Sequence, residues 1–231
     1  MKLVLFDIDG TLLLSDGAGR RAINRALHEV YGGIGPQDYR FDGKTDPQIV
    51  RDLMRIEGHP DAHIDARMRN VFERYLAYLD EELSDPAHRP YTLPGVPELL
   101  DVLERDNGIV LGLLTGNVRD GARAKLQAVG IDFDRFRVGA FGSDHEHRPE
   151  LPAIARTRAS SDLGLDLHGT ALVVIGDTPA DLSCGKSIGA KAIGVATGRY
   201  SVTDLQRHDP SAAVFADLSD TAAVHRAILT S

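Results

Sequence analysis

Apolar residues fall along this chain into short unbroken runs separated by longer stretches of helical period. The runs are Leu3–Ile8, Ile109–Leu114, Val138–Phe141, Ala171–Ile175 and Ala192–Val195, with a weaker last one at Ala213–Phe215. Runs of this length without alternation fit strands covered on both faces. Between them, Val118, Ala122, Leu126 and Val129 repeat at helical spacing before Gly130, a residue suited to follow a helix end. Leu151, Ile154, Ala155 and Leu163 mark another helix. Strands alternating with helices predict an α/β fold, a parallel sheet between helical layers.

One interval breaks the alternation. After the first run, roughly a hundred residues pass without a convincing strand. Ala18, Ala22, Ala26 and Val30 suit one helix, and Ile49, Leu53 and Ile56 a second. Ile64, Met68, Phe72, Tyr75, Leu79 and Leu83 form a long stripe for a third, and Pro97 to Glu104 a fourth that leads back to the sheet. The pattern predicts a helical unit over 17–90 inserted into a core made of 1–16 and 91–231. No internal repeat or low-complexity segment is visible.

Composition narrows the class. The 231 residues are 42% hydrophobic and 26% charged, ordinary for a globular chain and unlike a disordered or fibrous one. Twenty-six basic residues against 34 acidic give a formal charge of −8, which argues against nucleic acid as a partner. An anionic substrate must therefore be drawn in by local cations or a metal. The single cysteine, Cys184, rules out an intrachain disulfide and reads as a small buried hydrophobe. Met1–Phe6 is too short, and too soon followed by Asp7 and Asp9, to read as a signal peptide, and no apolar run approaches a membrane span. The expectation is a cytoplasmic protein without a membrane partner, monomer or homodimer.

In an open parallel sheet, ligands bind beyond the carboxyl ends of the strands. The first run ends in Phe6-Asp7-Ile8-Asp9-Gly10-Thr11. Period two puts Asp7 and Asp9 on one side of the chain, and two such carboxylates repel unless a cation or shared proton separates them. The second run ends in Thr115-Gly116-Asn117, a hydroxyl, a glycine amide and a carboxamide suited to anionic oxygens. Gly176-Asp177-Thr178-Pro179-Ala180-Asp181 closes another and adds hard oxygen ligands of the kind Mg²⁺ takes. Arg148, before Pro149, offers a guanidinium to a phosphoryl group. Acids, a hydroxyl turn and a cation at successive tips suit phosphoryl transfer to a carboxylate, with Asp7 attacking and Asp9 moving the proton. Thr115 and Arg148 would hold the equatorial oxygens.

With these motifs in this order, the chain resembles the haloacid dehalogenase superfamily, in its phosphatase branch with a helical cap inserted after the first strand. Asp7–Thr11 matches the first motif, Thr115 the second and Gly176–Asp181 the fourth. The resemblance implies a Rossmann-like core, a cap that closes over substrate, and a phosphoglycolate-phosphatase-like activity on a small phosphorylated metabolite. It implies Asp7 as nucleophile, Asp9 as acid and base, and Mg²⁺ held by Asp7, the Asp9 carbonyl and Asp177, with Asp181 supporting. Thr11, Gly116, Asn117 and Lys44, the last in the cap loop Gly43-Lys44-Thr45, are expected at the substrate. The third motif departs from the family: it usually carries Lys, and Arg148 stands there instead, which keeps the charge. Lys125, in Gly-Ala-Arg-Ala-Lys-Leu, reads as part of an exposed helix face, and Arg20, Arg21 and Arg25 as a solvated one. Two alternatives stay open: a phosphomutase of β-phosphoglucomutase type, and a catalytically weak binding or regulatory protein on the same fold. A true dehalogenase is disfavoured because that branch lacks the second carboxylate, here Asp9.

Overall fold

The computed structural model describes residues 1–230. In chain order the elements are β1 (Lys2–Phe6), β2 (Leu13–Leu14), α1 (Ala18–Tyr31), α2 (Asp46–Ile56), α3 (Asp61–Ser84), β3 (Tyr91–Thr92), α4 (Val96–Glu104), β4 (Ile109–Thr115), α5 (Arg119–Ala128) and β5 (Val138–Phe141). They continue with α6 (Leu151–Leu163), β6 (Leu172–Gly176), α7 (Pro179–Cys184), β7 (Lys191–Val195), α8 (Val202–His208), β8 (Ala213–Phe215) and α9 (Thr221–Leu229).

Six strands form one parallel sheet in the order β5-β4-β1-β6-β7-β8. Strand β1 is covered on both faces, as its unbroken apolar run predicts. Val4 and Phe6 join a cluster with Leu99, Leu103 and Val224, whereas Leu3 and Leu5 join the opposite cluster with Leu151, Ala155 and Ala159. The run Leu3–Ile8 extends past the strand, which ends at Phe6. The chain turns at once, because the Ile8 carbonyl accepts the N–H groups of Thr11, Leu12 and Leu13.

Helices α1, α2 and α3 pack around an apolar cluster of their own, in which Ala22, Ala26, Leu53 and Leu79 meet. Helix α1 ends at Gly32, whose φ of 81° lets its N–H reach the His28 carbonyl. The chain leaves and re-enters the sheet layer through a two-residue antiparallel ladder, Leu13 opposite Thr92 and Leu14 opposite Tyr91. The sequence reading expected no strand there; two residues are too few to leave a period. The connection after β5 carries the chain back across β1 to β6, so β4, β1 and β6 present adjacent carboxyl ends at a topological switch point. No helix among the described residues is long and apolar enough to cross a membrane.

Candidate active site

Asp7 follows β1, Thr115 ends β4 and Asp177 follows β6, and the sheet register places these tips side by side. Carboxylate oxygens of Asp7, Asp177 and Asp181 lie within 4.8 Å of one another, all buried. Arg148, in the 3-10 turn that opens α6, is equally buried and enters this group from the side. Its Nη2 donates to Asp7 Oδ1 at 3.0 Å, to Asp181 Oδ1, and to the Leu114 carbonyl at 3.4 Å. The other Asp181 oxygen accepts from the Thr178 amide at 3.0 Å and hydroxyl at 2.6 Å, closing a capping box on α7. Both Asp181 oxygens are thus engaged, and the residue anchors Arg148 to the start of α7.

One guanidinium faces three carboxylates, and the balance shows in their proton affinity. Burial pushes Asp7 up to about 6; Arg148 opposes the rise, while Asp181 and Asp9 add to it. Asp177 is driven well above the usual carboxylate range by burial, then by the charges of Asp181 and Asp7. Two glycines leave room for it. A Cβ at Gly10, where φ is +85°, would fall 2.5 Å from Asp177 Oδ2, and one at Gly198 would fall 1.8 Å from it. Thr11, expected at the substrate, is fully buried and instead donates its hydroxyl to Asp177 Oδ1 at 3.3 Å.

Asp9 turns away from these carboxylates into a second group. Lys125 Nζ lies 2.9 Å from Asp9 Oδ1, 2.7 Å from Oδ2 and 2.6 Å from Asn117 Oδ1. Asn117 Nδ2 donates to Asp9 Oδ2 and to Thr115 Oγ1, both at 2.8 Å, and the Ser15 hydroxyl reaches Asp9 Oδ1 at 3.4 Å. Burial alone would raise Asp9, but the Lys125 charge and the donors on the carboxylate outweigh it and hold Asp9 below its ordinary value. The expectation of an exposed Lys125 is corrected: the side chain is 5% exposed. Lys125 lies three residues after Ala122 and seven after Val118, on the same stripe that faces inward. Asn117, expected at the substrate, has its carboxamide taken up by Asp9, Thr115 and Lys125.

A cavity of about 260 Å³ opens over both groups, bounded by Asp7, Asp9, Thr115 and Arg148 below and by the helical unit above. The loop before α2 forms part of its wall and docks directly on the strand tips. The Gly116 carbonyl accepts the Asp46 N–H at 2.8 Å, and the Thr45 hydroxyl donates to the Glu146 carbonyl at 2.6 Å. Gly116 is tied to this approach, since a Cβ there would lie 2.0 Å from the Lys44 carbonyl oxygen. The Lys44 ammonium borders the cavity but pairs with Asp52 at 3.2 Å. Arg20 borders it too, its guanidinium 3.8 Å from the Phe41 ring centroid, so the solvated face expected for Arg20, Arg21 and Arg25 does not hold for Arg20. Arg21 and Arg25 pair with Glu82 and Glu81 on α3. Sequence reasoning missed Lys125, Asp46 and Ser15. Cys184 is buried as expected.

An open parallel sheet with acidic strand tips and an inserted helical unit defines a class of α/β hydrolases. The family model of haloacid dehalogenase-like hydrolases matches residues 4–186, and the chain belongs to that family. It is 30% identical over 215 residues to the probable phosphatase IndB of Dickeya dadantii (strain 3937), covering 92% of this chain and 88% of the relative. It is 29% identical over 220 residues to a phosphoglycolate phosphatase of Yersinia pestis, covering 93% and 90%. Among solved structures, a hydrolase from Pseudomonas syringae superposes over the full length of both chains with a TM-score of 0.73 at 22% identity, a likeness of fold.

Proposed function

We propose that this enzyme is a Mg²⁺-dependent phosphatase that hydrolyses a small phosphomonoester through an aspartyl-phosphate on Asp7. The observation that carries the reading is the meeting of the Asp7, Asp177 and Asp181 carboxylates beside the single guanidinium of Arg148. Its relatives' names point the same way, and a phosphoglycolate-like substrate is the reading they favour.

The donor set fits a hard divalent cation. Three buried carboxylates exceed the one positive charge among them, and all the donors are oxygen. Asp7 and Asp177 would hold the ion, with the Asp9 backbone carbonyl as the family resemblance implies and Asp181 supporting through Arg148. When bound, Mg²⁺ supplies the charge that screens Asp7 from an incoming phosphoryl dianion.

The chain's own groups then divide the reaction. Arg148 and the Thr115 hydroxyl receive the equatorial phosphoryl oxygens while Asp7 attacks phosphorus. As the new P–O bond forms, the bond to the leaving oxygen breaks. That oxygen keeps the electron pair and takes a proton from Asp9, leaving as an alcohol. Water then attacks phosphorus and gives its proton back to Asp9; the bond to Asp7 breaks and inorganic phosphate is released. Residues 17–90 act as a cap whose docked loop, through Lys44-Thr45-Asp46 on Gly116, keeps bulk water from the cavity.

The experiment is hydrolysis of p-nitrophenyl phosphate by purified enzyme, with and without Mg²⁺, beside Asp7→Asn. The expected result is metal-dependent phosphate release that the variant lacks. Turnover that survives Asp7→Asn, or that is indifferent to metal removal, would overturn the proposal.

A further inference from the structure

Arg20, Lys44, Lys125 and Arg148 are the cations that border the cavity among the described residues, and three of them are paired with carboxylates. Arg148 meets Asp7 at 3.0 Å, Lys125 meets Asp9 at 2.7 Å and Lys44 meets Asp52 at 3.2 Å. Arg20, in α1, has no carboxylate partner among the described residues. Its Nη2 donates to the Tyr39 carbonyl at 2.9 Å, and its guanidinium lies 3.8 Å from the Phe41 ring centroid. A guanidinium carries five N–H donors, and the Tyr39 carbonyl takes one.

The acids around Arg20 are engaged elsewhere. Asp52 is shared by Lys44 and the Tyr39 hydroxyl. Asp42 faces Arg40 at 3.0 Å and Arg199 at 3.6 Å. Asp46 accepts the Val118 N–H, and Asp7 and Asp177 are the proposed ligands of the cation. The loop under Arg20 also has anchors of its own: Tyr39 and Lys44 hold it to Asp52 in α2, and Thr45 holds it to the Glu146 carbonyl. Stacked on Phe41 and fixed by one carbonyl, the guanidinium is already oriented, so little further ordering opposes the binding of an anion.

Arg148 bounds the cavity from the sheet and Arg20 bounds it from the helical unit. At about 260 Å³ the space is smaller than the roughly 300–1,000 Å³ of pockets that take drug-sized ligands. Ile23, Phe41 and Ile49 give its cap side an apolar lining. A phosphoryl group at the tip of β4 therefore leaves space for a short carbon chain. We infer that Arg20 receives a second anionic group, a carboxylate or a phosphate, on the alcohol portion of the substrate, and so determines which small phosphomonoesters are accepted. The inference rests on the proposed phosphatase reading. Arg20 takes no part in the bond changes at phosphorus.

Three esters of similar length test it: 2-phosphoglycolate, ethylene glycol bisphosphate, and 2-hydroxyethyl phosphate, whose far end is neutral. The wild-type enzyme is expected to show a kcat/KM about 10- to 100-fold higher on the charged esters than on the neutral one, the scale of charge-assisted hydrogen bonds. Arg20→Met should remove that preference by raising KM on the charged esters, with the neutral ester changed less than about threefold. Arg20→Lys, which keeps a charge, should retain part of it. Thermal denaturation separates a folding defect from a loss of binding; should Arg20→Met fail to fold, the wild-type preference and Arg20→Lys decide the question. Either order of the two charged esters supports the assignment and names the anion. A wild type without the preference, or a folded variant that loses equally on charged and neutral esters, would overturn it, the latter by making Arg20 a prop for the Tyr39–Phe41 loop. Absence of metal-dependent turnover of p-nitrophenyl phosphate would instead overturn the phosphatase reading.

Discussion

Asp46 Oδ2 accepts the backbone N–H of Val118 at 2.9 Å, so a carboxylate at the start of α2 caps the start of α5. Val118 has no side chain able to do this for its own helix. An anion at a helix N-terminus is favoured by the unpaired N–H groups and the helix dipole. Because α2 belongs to the inserted unit and α5 to the sheet layer, the bond also ties one to the other. Asp46→Ala is expected to lower the melting temperature by about 2–4 °C, the size of a lost cap in a chain of this length. Asp46→Asn, which keeps an oxygen for the Val118 N–H, should stay close to wild type. Differential scanning calorimetry checks the pair; an unchanged Asp46→Ala would show that the bond contributes nothing to stability.

Gly116 sets how closely the cap loop can sit. The first atom of any side chain there would lie 2.0 Å from the Lys44 carbonyl oxygen, and one at Gly142 would lie 2.1 Å from the Gly116 carbonyl oxygen. The neighbours are backbone, which cannot swing aside as a side-chain end does. Gly116→Ala is expected to leave the sheet intact and hold the loop out. Displacing a positioned group by about 1 Å costs on the order of 100-fold in rate, so kcat/KM on a small phosphomonoester should fall by about that factor. Limited proteolysis between residues 36 and 46 should quicken in the same variant, and unchanged cleavage would count against a displaced loop.

The strand tips were legible because a parallel sheet gathers them at one edge whatever the loops do. Asp7, Thr115 and Asp177 stand at or just past the ends of β1, β4 and β6, where a strand-tip reading looks for them, whereas Arg148 lies farther on, in the turn that opens α6 after β5. Lys125 was not legible, although its place on the Val118–Ala122 stripe held the signal. A lysine normally resides at the surface, and its partner Asp9 lies 116 residues away. Thr11 and Asn117 were placed near the site, but their hydrogen bonds run to Asp177 and Asp9, and pairings of that kind depend on the closed fold. The two-residue ladder of β2 and β3 left no period to read.

The raised carboxylates make stability of the metal-free protein depend on pH in a definite direction. Asp7 and Asp46 stand at about 6 against an ordinary 3.8, each chiefly through burial, and Asp177 lies well above that value. A carboxyl whose folded value is raised binds its proton more tightly folded than unfolded, so stability declines as pH climbs from about 4 through 6. Asp9, held low, acts in the opposite sense and mainly below pH 4. Without metal, the melting temperature should therefore fall between pH 5 and pH 7. Added Mg²⁺ should restore it, and by more at pH 8 than at pH 5, because protons compete for the same oxygens. Melting curves at the three pH values, with and without Mg²⁺, test both statements; a metal effect that shrinks toward pH 8 would contradict them.

Arg148 meets its partners through one nitrogen. Nη2 alone serves Asp7, Asp181 and the Leu114 carbonyl, while Nε is buried without a partner. The planar fork that distinguishes arginine from lysine is not used on these carboxylates, so a point charge should do much of the same work. Arg148→Lys is expected to fold and to keep kcat within about tenfold of wild type, whereas Arg148→Met should lose about 1000-fold, the scale of removing a donor from a developing anion. Arg148→Met should also be less stable by about 3–5 kcal/mol, since it leaves buried carboxylates without their cation. Steady-state kinetics and urea unfolding of the two variants decide the point. If Arg148→Lys falls as far as Arg148→Met while remaining folded, a second guanidinium nitrogen must be engaged by the phosphoryl group during turnover, and Nη1 is where that engagement should be sought, since Nε is buried.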